Sequence, residues 1–257
     1  MLGRWVILSA TIPLFAASLL MIELGYRYRL RWLIRADPGS NAGIGAVSTT
    51  VLSLMGLVLA FSFSNAAGRL DASRKSILDE MTAIESVWQR IDLAEPQARD
   101  RLRLLFREYV EARIRAYEAL PELTEYQRQS EIAAALLNKA WPIAIEGSSV
   151  TVNRPLLLTA VTSVSDAVAA RNLSLLTHIP TGVLLFLFGI VLTGSLIVGT
   201  LLGDLGHRQW FYRLVIAAVL TSVVNVIIDM EYPRLGVFNL LKEPDTMFVV
   251  NLRNLMH

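Results

Sequence analysis

The ionisable and nucleophilic residues of this sequence do not form a recognisable catalytic motif. There are no cysteines among its 257 residues, which excludes disulfides, thiolate catalysis and cysteine-based zinc or iron–sulfur sites. The three histidines, His178, His207 and His257, have no spacing typical of a metal site. No nucleophile elbow, phosphate-binding loop or His-Glu-x-x-His motif is present. We therefore expect a protein that is not an enzyme and that uses no cofactor or metal.

The most distinctive polar stretch is 229–236, which reads Asp-Met-Glu-Tyr-Pro-Arg-Leu-Gly. It places Asp229, Glu231 and Arg234 where a long apolar segment ends. Ionisable groups in or beside a membrane are costly unless they are paired, and they often mark ion pathways. The alternative is an interfacial salt bridge that fixes how helices meet, for example between Asp229 and either Arg234 or Arg69.

Composition places the chain among membrane proteins. Hydrophobic residues make up 54% of it and charged residues only 18%, with a mean hydropathy of +0.48. The net charge is only +2, and the basic residues are interleaved with acidic ones. This pattern gives no indication of a nucleic-acid partner. The expected partner is the lipid bilayer.

Four apolar segments are candidates for membrane spans, since a helix of about 20 apolar residues crosses the hydrocarbon core. They are 5–24, 43–67, 181–202 and 214–228. The first resembles a signal peptide, but its apolar run continues past the possible cleavage site, so we expect an uncleaved anchor helix. The last has only 15 uncharged residues. It could thin the bilayer or bury its ends in protein.

The chain between the second and third spans has the pattern of a soluble helical bundle. Apolar residues repeat at spacings of three and four over 77–91, so the second span is expected to continue directly as an amphipathic helix. Prolines and glycines then divide 96–178 into three further helices, of which the second is expected at about 124–141 and to be closed by Pro142 and Gly147. The tail after Asp229 contains two prolines and a glycine and is expected to be irregular.

The predicted fold is therefore an all-α membrane protein of four transmembrane helices, with a helical bundle inserted between the second and the third. The expected domains are membrane helices 1 and 2 at 1–67 and the bundle at 68–178. Membrane helices 3 and 4 follow at 179–230, and a tail near the membrane follows at 231–257.

Small and hydroxyl residues form a stripe along the second span. The stripe consists of Gly45, Thr49, Ser53, Gly56, Ala60 and Ser64. Helical spacing puts all of them on one side of the helix. One interpretation is helix packing, since small residues four apart let membrane helices approach closely. The other is that several copies of the helix surround a pore and turn their hydroxyls towards water or ions.

Six separated motifs extend over most of the chain. They are 56–64 (Gly-Leu-Val-Leu-Ala-Phe-Ser-Phe-Ser), 69–75 (Arg-x-Asp-x-x-Arg-Lys), 79–84 (Asp-Glu-x-x-Ala-Ile), 90–93 (Arg-Ile-Asp-Leu), 109–113 (Tyr-Val-Glu-Ala-Arg) and 228–236. Together they resemble the signature of the bacterial bestrophin-like domain family. In the last motif Tyr232 stands where the family pattern has arginine, so a double-arginine cluster is lost.

The resemblance implies a distant similarity to bestrophins, which are pentameric anion channels. In those proteins the second membrane helix lines the pore and continues into a soluble helical region. By resemblance, a narrow neck lies near Phe61, Phe63, Ser64 and Asn65. Charges at the pore mouth and at helix ends are then expected from Arg69, Asp71, Arg74, Asp229, Glu231 and Arg234.

Two functions fit these observations. The first is an oligomeric, bestrophin-like ion channel or pore in the bacterial plasma membrane, more permeable to anions, with small inorganic ions as its ligands. By resemblance it would be a pentamer. The alternative is a non-conducting membrane sensor or scaffold whose helical bundle binds a partner.

The sidedness follows from the basic residues of the short loops. Arg27, Arg29, Arg31 and Arg35 lie between the first two spans, and Arg208 and Arg213 lie between the last two. Because short basic loops remain in the cytoplasm, the bundle is expected on the outer, periplasmic side. The bestrophin resemblance implies the opposite, a cytosolic bundle. We base the expectation on the loop arginines.

Overall fold

Every element assigned within the described residues of the computed structural model is helical, which confirms the all-α class. The structure describes residues 2–33, 38–120, 122–147, 153–176, 181–203, 210–233 and 240–256. The α-helices are α1 (Leu2–Tyr28), α2 (Pro38–Arg90), α3 (Pro96–Ala119), α4 (Leu123–Glu146), α5 (Asn153–Leu176), α6 (Thr181–Gly203), α7 (Trp210–Glu231) and α8 (Lys242–Leu255). A π-helix, Arg29–Leu33, follows α1, and a 3₁₀ turn, Ile91–Leu93, follows α2.

Helix α2 is a single helix of 53 residues. It contains the apolar segment 43–67 and all of the amphipathic segment 77–91 except its last residue. The continuation expected from the sequence is confirmed. No proline lies in its interior, so each backbone N–H after the first turn can bond to the carbonyl four residues earlier. It ends at Arg90 and is followed by the 3₁₀ turn, and Glu95 is extended because the residue preceding a proline avoids helical dihedral angles.

The described chain forms two units. The first unit comprises residues 1–70 and 178–239, and the second comprises 71–177 and 240–257. The first contains α1, the beginning of α2, α6 and α7. The second contains the rest of α2, together with α3, α4, α5 and α8.

Three helical segments of the described residues are long and apolar enough to cross a membrane, namely Gly43–Leu93, Thr181–Gly203 and Trp210–Glu231. The last is longer than the uncharged run 214–228, because the helix includes charged residues at both ends that have ion-pair partners. Its 22 residues extend for about 33 Å, which is enough for the hydrocarbon core. The predicted first span lies within α1, and a four-span topology stays a prediction.

In the first unit, α1 packs against α6 and α7. The contact between α1 and α6 is close because glycines face the opposite backbone. A Cβ atom at Gly25 would overlap the carbonyl oxygen of Leu196, and one at Gly199 would overlap the carbonyl oxygen of Ile22. The apolar core joins all four helices of the unit through Leu14, Leu59, Ala66, Leu187, Val191, Leu220, Val224 and Ile227.

Two expectations for the second unit are wrong. Helix α4 does not end at Trp141 but continues through Pro142 to Glu146, at the loss of one backbone hydrogen bond, and it is closed by Gly147 as the sequence predicted. The tail is not irregular throughout, since α8 forms an amphipathic helix that buries Phe248 and Leu252. Pro244 is compatible with α8 because it lies in the first turn, where backbone N–H groups have no partner within the helix.

Candidate functional site

The small and hydroxyl residues of α2 lie on a face that other parts of the described chain do not cover. Thr49, Ser53, Gly56, Ala60 and Ser64 are all exposed in the single chain. The opposite face packs inward, and it includes Ser48, Leu59, Ala66 and Leu70. The helical period that defined the stripe in the sequence therefore separates the two faces of the folded helix.

The open face of α2 differs from the glycine contacts elsewhere in the first unit. A Cβ atom at Gly56 would meet nothing within 4 Å. A Cβ atom at Gly194 of α6, in contrast, would overlap the sulfur of Met55. Small residues of the stripe therefore do not serve to pack α2 against another described helix of the same chain. These small residues are therefore available for contact with water, lipid or another copy of the chain.

Two aromatic rings and a polar amide continue the open face near the end of the apolar segment. Phe61 is 63% exposed and Phe63 is 42% exposed. Asn65 is exposed as well. An amide side chain in hydrocarbon needs a hydrogen-bond partner, whereas the hydroxyl of Thr49 already donates to the carbonyl of Gly45 at 2.9 Å. The end of the face with Asn65 is thus the part most in need of water or a neighbouring polar group.

A salt bridge joins the ends of α2 and α7 in the first unit. The guanidinium Nη2 of Arg69 lies 2.8 Å from the carboxylate Oε1 of Glu231, whose side chain is fully buried. The sequence suggested a pair between Asp229 and either Arg234 or Arg69, whereas the acid that contacts Arg69 here is Glu231. Successive helical residues point about 100° apart, so Asp229 and Glu231 face different directions, and it is Glu231 that meets α2. Asp229 is itself buried.

Asp71 and Arg74, two of the other charges predicted at the pore mouth, form a pair of their own. In the second unit, Asp71 and Arg74 are exposed neighbours on α2, with 3.8 Å between Oδ1 and Nη1. Such a pair contributes little to stability and leaves both groups able to act on ions in solution. Arg234 lies outside the described residues.

The second unit contains a buried polar network that the sequence did not reveal. Glu80 of α2 and Arg113 of α3 are fully buried, and Nε of Arg113 donates to Oε1 of Glu80 at 2.7 Å. Arg113 also donates to the hydroxyl of Ser130 on α4 at 2.9 Å. The hydroxyl of Tyr117 donates to the other oxygen of Glu80 at 2.8 Å. One carboxylate thus connects α2 with α3, and one guanidinium connects both with α4.

A second buried arginine extends this network to α5 and α8. Arg171 of α5 donates from Nε to the hydroxyl of Tyr117 at 3.2 Å and from Nη1 to the hydroxyl of Ser73 at 3.1 Å. Its Nη2 lies 3.8 Å from Oδ1 of Asp245 on α8. Beside it, the rings of Tyr117 and Phe248 stack at 4.0 Å. The network therefore includes side chains from all five helices of the second unit.

Burial changes the acidity of the tyrosines in this network. Desolvation raises the pKa of the Tyr117 hydroxyl well above its usual value, and the nearby charge of Glu80 raises it further. Burial likewise raises the pKa of Tyr109. Both hydroxyls therefore stay protonated at physiological pH, and that of Tyr117 bonds to Glu80 and Arg171.

One feature of the sequence could have indicated this network. The apolar face of α3 contains Phe106, Tyr109, Arg113 and Tyr117 at helical spacing, so an arginine occupies a core position. Arginine is almost never fully buried unless it is paired. The position of Arg113 thus predicted a buried acidic partner, but not which acid.

A family model for the Bestrophin-like domain matches residues 14–245, which is most of the chain. The chain belongs to the Bestrophin-like domain family. The resemblance seen in the sequence motifs is thereby confirmed. A search of curated proteins found no match.

Solved structures share the fold of this family member. One is a variant of a bacterial Bestrophin homolog from Klebsiella pneumoniae, with 18% identity and a TM-score of 0.70 over 97% of this chain and 98% of that chain. Another variant has 17% identity and a TM-score of 0.69 over 95% and 98% of the two chains. At this identity the likeness establishes the fold alone.

Proposed function

We propose that this Bestrophin-like domain protein is an ion channel formed by several copies of the chain in a membrane. The open face of α2, from Thr49 to Asn65, lines the pathway in each copy. The observation that carries the proposal is that this face is both polar in part and uncovered within the chain.

The ion pathway does not run through the interior of the first unit of a single chain. The inward face of α2 packs with Leu59 and Ala66 into an apolar core shared with α6 and α7. Apolar packing of this kind excludes hydrated ions. A pathway bounded by several copies instead gives Ser53, Ser64 and Asn65 a watery environment, which satisfies their polar groups.

Our proposals for the permeant ion and for the number of subunits are based on the relation to bestrophins. Bestrophins are pentameric anion channels, so we propose an anion-permeable pentamer in the bacterial plasma membrane. Phe61 and Phe63 would narrow the pathway, and the charges at Arg69, Asp71 and Arg74 would act at its mouth. Because Glu231 already neutralises Arg69 in part, the net positive potential there is modest. The basic short loops favour a helical bundle on the outer side.

The experiment is a halide-flux measurement on purified protein in liposomes. Ser53→Trp should reduce the flux at least tenfold, because five indole rings at one level of a narrow pathway exclude hydrated ions. Phe63→Ala should raise the flux by widening the neck. Leu185→Trp is the matched control, since Leu185 is exposed on the span α6 and is not part of the open face of α2. We expect it to conduct like the parent protein.

Three outcomes would each contradict one part of the proposal. Folded, oligomeric parent protein that shows no flux over a range of pH and calcium concentrations would overturn conduction altogether. Equal loss of flux in Ser53→Trp and Leu185→Trp would overturn the role of the open face of α2. Flux of potassium in place of halide would contradict anion permeability alone.

A cleft in the second unit favours the second function, a non-conducting sensor. It has a volume of about 430 Å³ and lies between α4 and α5, where Tyr126, Ser130, Val168 and Asn172 line it. Ser130 also accepts a hydrogen bond from buried Arg113, so an occupant of the cleft would touch the polar network. If the protein does not conduct, the test of this function is the variant Val168→Trp, which fills the cleft. Altered capture of a partner by this variant, with its folding unchanged, would support the sensor.

A further inference from the structure

Two arginines, one from α1 and one from α7, pair with the same acidic side chain of α1 in the first unit. Both oxygens of Glu23 are occupied, since Nε of Arg27 lies 2.6 Å from Oε1 and Nη1 of Arg213 donates to Oε2. Arg31 is exposed one turn after Arg27, in the π-helix that follows α1. One carboxylate therefore serves two guanidiniums, and a third guanidinium lies close along the chain.

Arg213 is held in place but not fully satisfied. It is only 2% exposed, and its guanidinium carbon lies 3.7 Å from the ring centre of Tyr26. Its Nε and Nη2 atoms have no hydrogen-bond partner in the part of the chain that the structure describes. A buried donor without an acceptor is costly, and charged donors are the most costly. The site is therefore complementary to a ligand that supplies several anionic oxygens.

Phosphate oxygens suit these donors. A guanidinium presents its N–H groups as a planar fork that can bond two phosphate oxygens at once. Arg27 is 61% exposed, so a ligand can reach it from outside the chain. From the protein side, Nε and Nη2 of Arg213 are the donors left for such a ligand.

The surroundings indicate that the phosphate belongs to a lipid. Three aromatic residues directly precede Arg213 at the start of α7, namely Trp210, Phe211 and Tyr212, and all three are exposed. Exposed aromatic side chains at the end of a membrane helix lie at the level of the lipid headgroups. At that level anionic lipids are already concentrated and attract basic side chains.

We propose that Arg27, Arg31 and Arg213 form a binding site for the phosphate of an anionic phospholipid. The site goes beyond the proposed channel function and does not depend on conduction. Bound lipid would connect the end of α1 with the start of α7 and would satisfy the donors of Arg213.

Native mass spectrometry of the full-length protein in detergent can test the site directly. Phosphatidylglycerol should remain bound at concentrations at which phosphatidylcholine does not. Arg27→Gln combined with Arg31→Gln should weaken phosphatidylglycerol binding roughly 30-fold, at about fivefold for each cation removed near a headgroup. Arg31→Gln alone should weaken it about fivefold. Both arginines are exposed, so the variants are expected to fold.

The matched control removes two cations from the second unit. Arg101→Gln with Arg103→Gln changes the net charge equally at exposed positions of α3 and should leave lipid binding unchanged. Equal retention of phosphatidylcholine, or unchanged binding in the Arg27 and Arg31 variant, would overturn the proposal. Displacement of the lipid by millimolar inorganic phosphate would also overturn it, because the site would then bind a free anion.

Discussion

The buried charges of the second unit are stable only because each has a specific partner. Removing a guanidinium from water costs several kcal/mol, which an ion pair offsets only when its geometry is good and its remaining donors are bonded. Arg113 meets most of this condition, since Nε bonds to Glu80, Nη1 bonds to Ser130 and Nη2 lies 2.5 Å from the same carboxylate oxygen of Glu80. The network therefore specifies how α2, α3 and α4 meet, more than it adds to stability.

Tyr109 and Tyr117 offer a direct comparison within this network. The hydroxyl of Tyr109 is buried and has no hydrogen-bond partner among the described residues, whereas Tyr117 bonds to Glu80 and Arg171. Tyr109→Phe should leave the free energy of unfolding at pH 7 unchanged or raise it by about 1 kcal/mol. Tyr117→Phe should lower it by about 1–3 kcal/mol, because it leaves buried charges with one bond fewer. Denaturant unfolding monitored by circular dichroism measures both values, and the reverse order would contradict the network.

Alkaline pH gives a second test of Tyr109. Its raised pKa means that the hydroxyl stays protonated in the folded state while the unfolded state ionises near pH 10. Below pH 10 the hydroxyl is protonated in both states, so the free energy of unfolding does not depend on its ionisation. Above pH 10 the unfolded state is favoured by ionisation, and the free energy of unfolding falls by about 1.4 kcal/mol per pH unit for each such tyrosine. Tyr109→Phe should therefore make the loss of stability between pH 10 and 12 less steep. An unchanged slope would show that Tyr109 ionises equally in both states.

At the scale of elements, glycine has two different uses in the first unit. Gly25 and Gly199 let α1 and α6 approach until backbone meets backbone. In membranes such contacts replace the hydrophobic effect as a source of helix association. Gly189, also on α6, has open space where a Cβ would be. The same residue type is thus a packing device at two positions and not at the third.

Alanine substitutions separate these uses. Gly199→Ala should lower the thermal unfolding midpoint and the yield of monodisperse protein, because the added methyl overlaps the backbone of α1. Gly189→Ala should have no such effect and should favour the helix slightly. Size-exclusion chromatography with a thermal-shift measurement checks both variants. Equal behaviour of the two would show that α1 and α6 are less closely packed.

At the scale of the whole molecule, the proposed channel requires that copies of α2 face one another. Because the chain has no cysteine, a single introduced cysteine reports on its own position. Phe63→Cys should form disulfide-linked dimers under mild oxidation, since equivalent residues around a narrow neck can approach within the 7 Å between Cα atoms that a disulfide needs. Leu185→Cys, exposed on α6, is the control and should stay monomeric on denaturing gels. Absence of dimers in oligomeric Phe63→Cys protein would contradict a neck at this residue.

The sequence by itself determined the class, the family and the faces of the helices. The uncharged run of 25 residues at 43–67 and the apolar repeats at 77–91 depend only on helical geometry and local composition. The start of α3 at Pro96 and the open stripe of α2 follow from the same local rules. Such features can be read from the chain because they involve residues within a few turns of one another.

Only the tertiary structure decided which partners meet. The sequence pattern alone allows Asp229 to pair with either Arg69 or Arg234. In the structure, Glu231 is the acid that contacts Arg69. Likewise, Asp245 of α8 lies beside Arg171 of α5, although 74 residues separate them in the sequence. The tail was misjudged for the same reason, because α8 gains its stability from burying Phe248 and Leu252. Ion-pair choice and the folding of a short helix both depend on contacts distant in sequence, and no local period contains them.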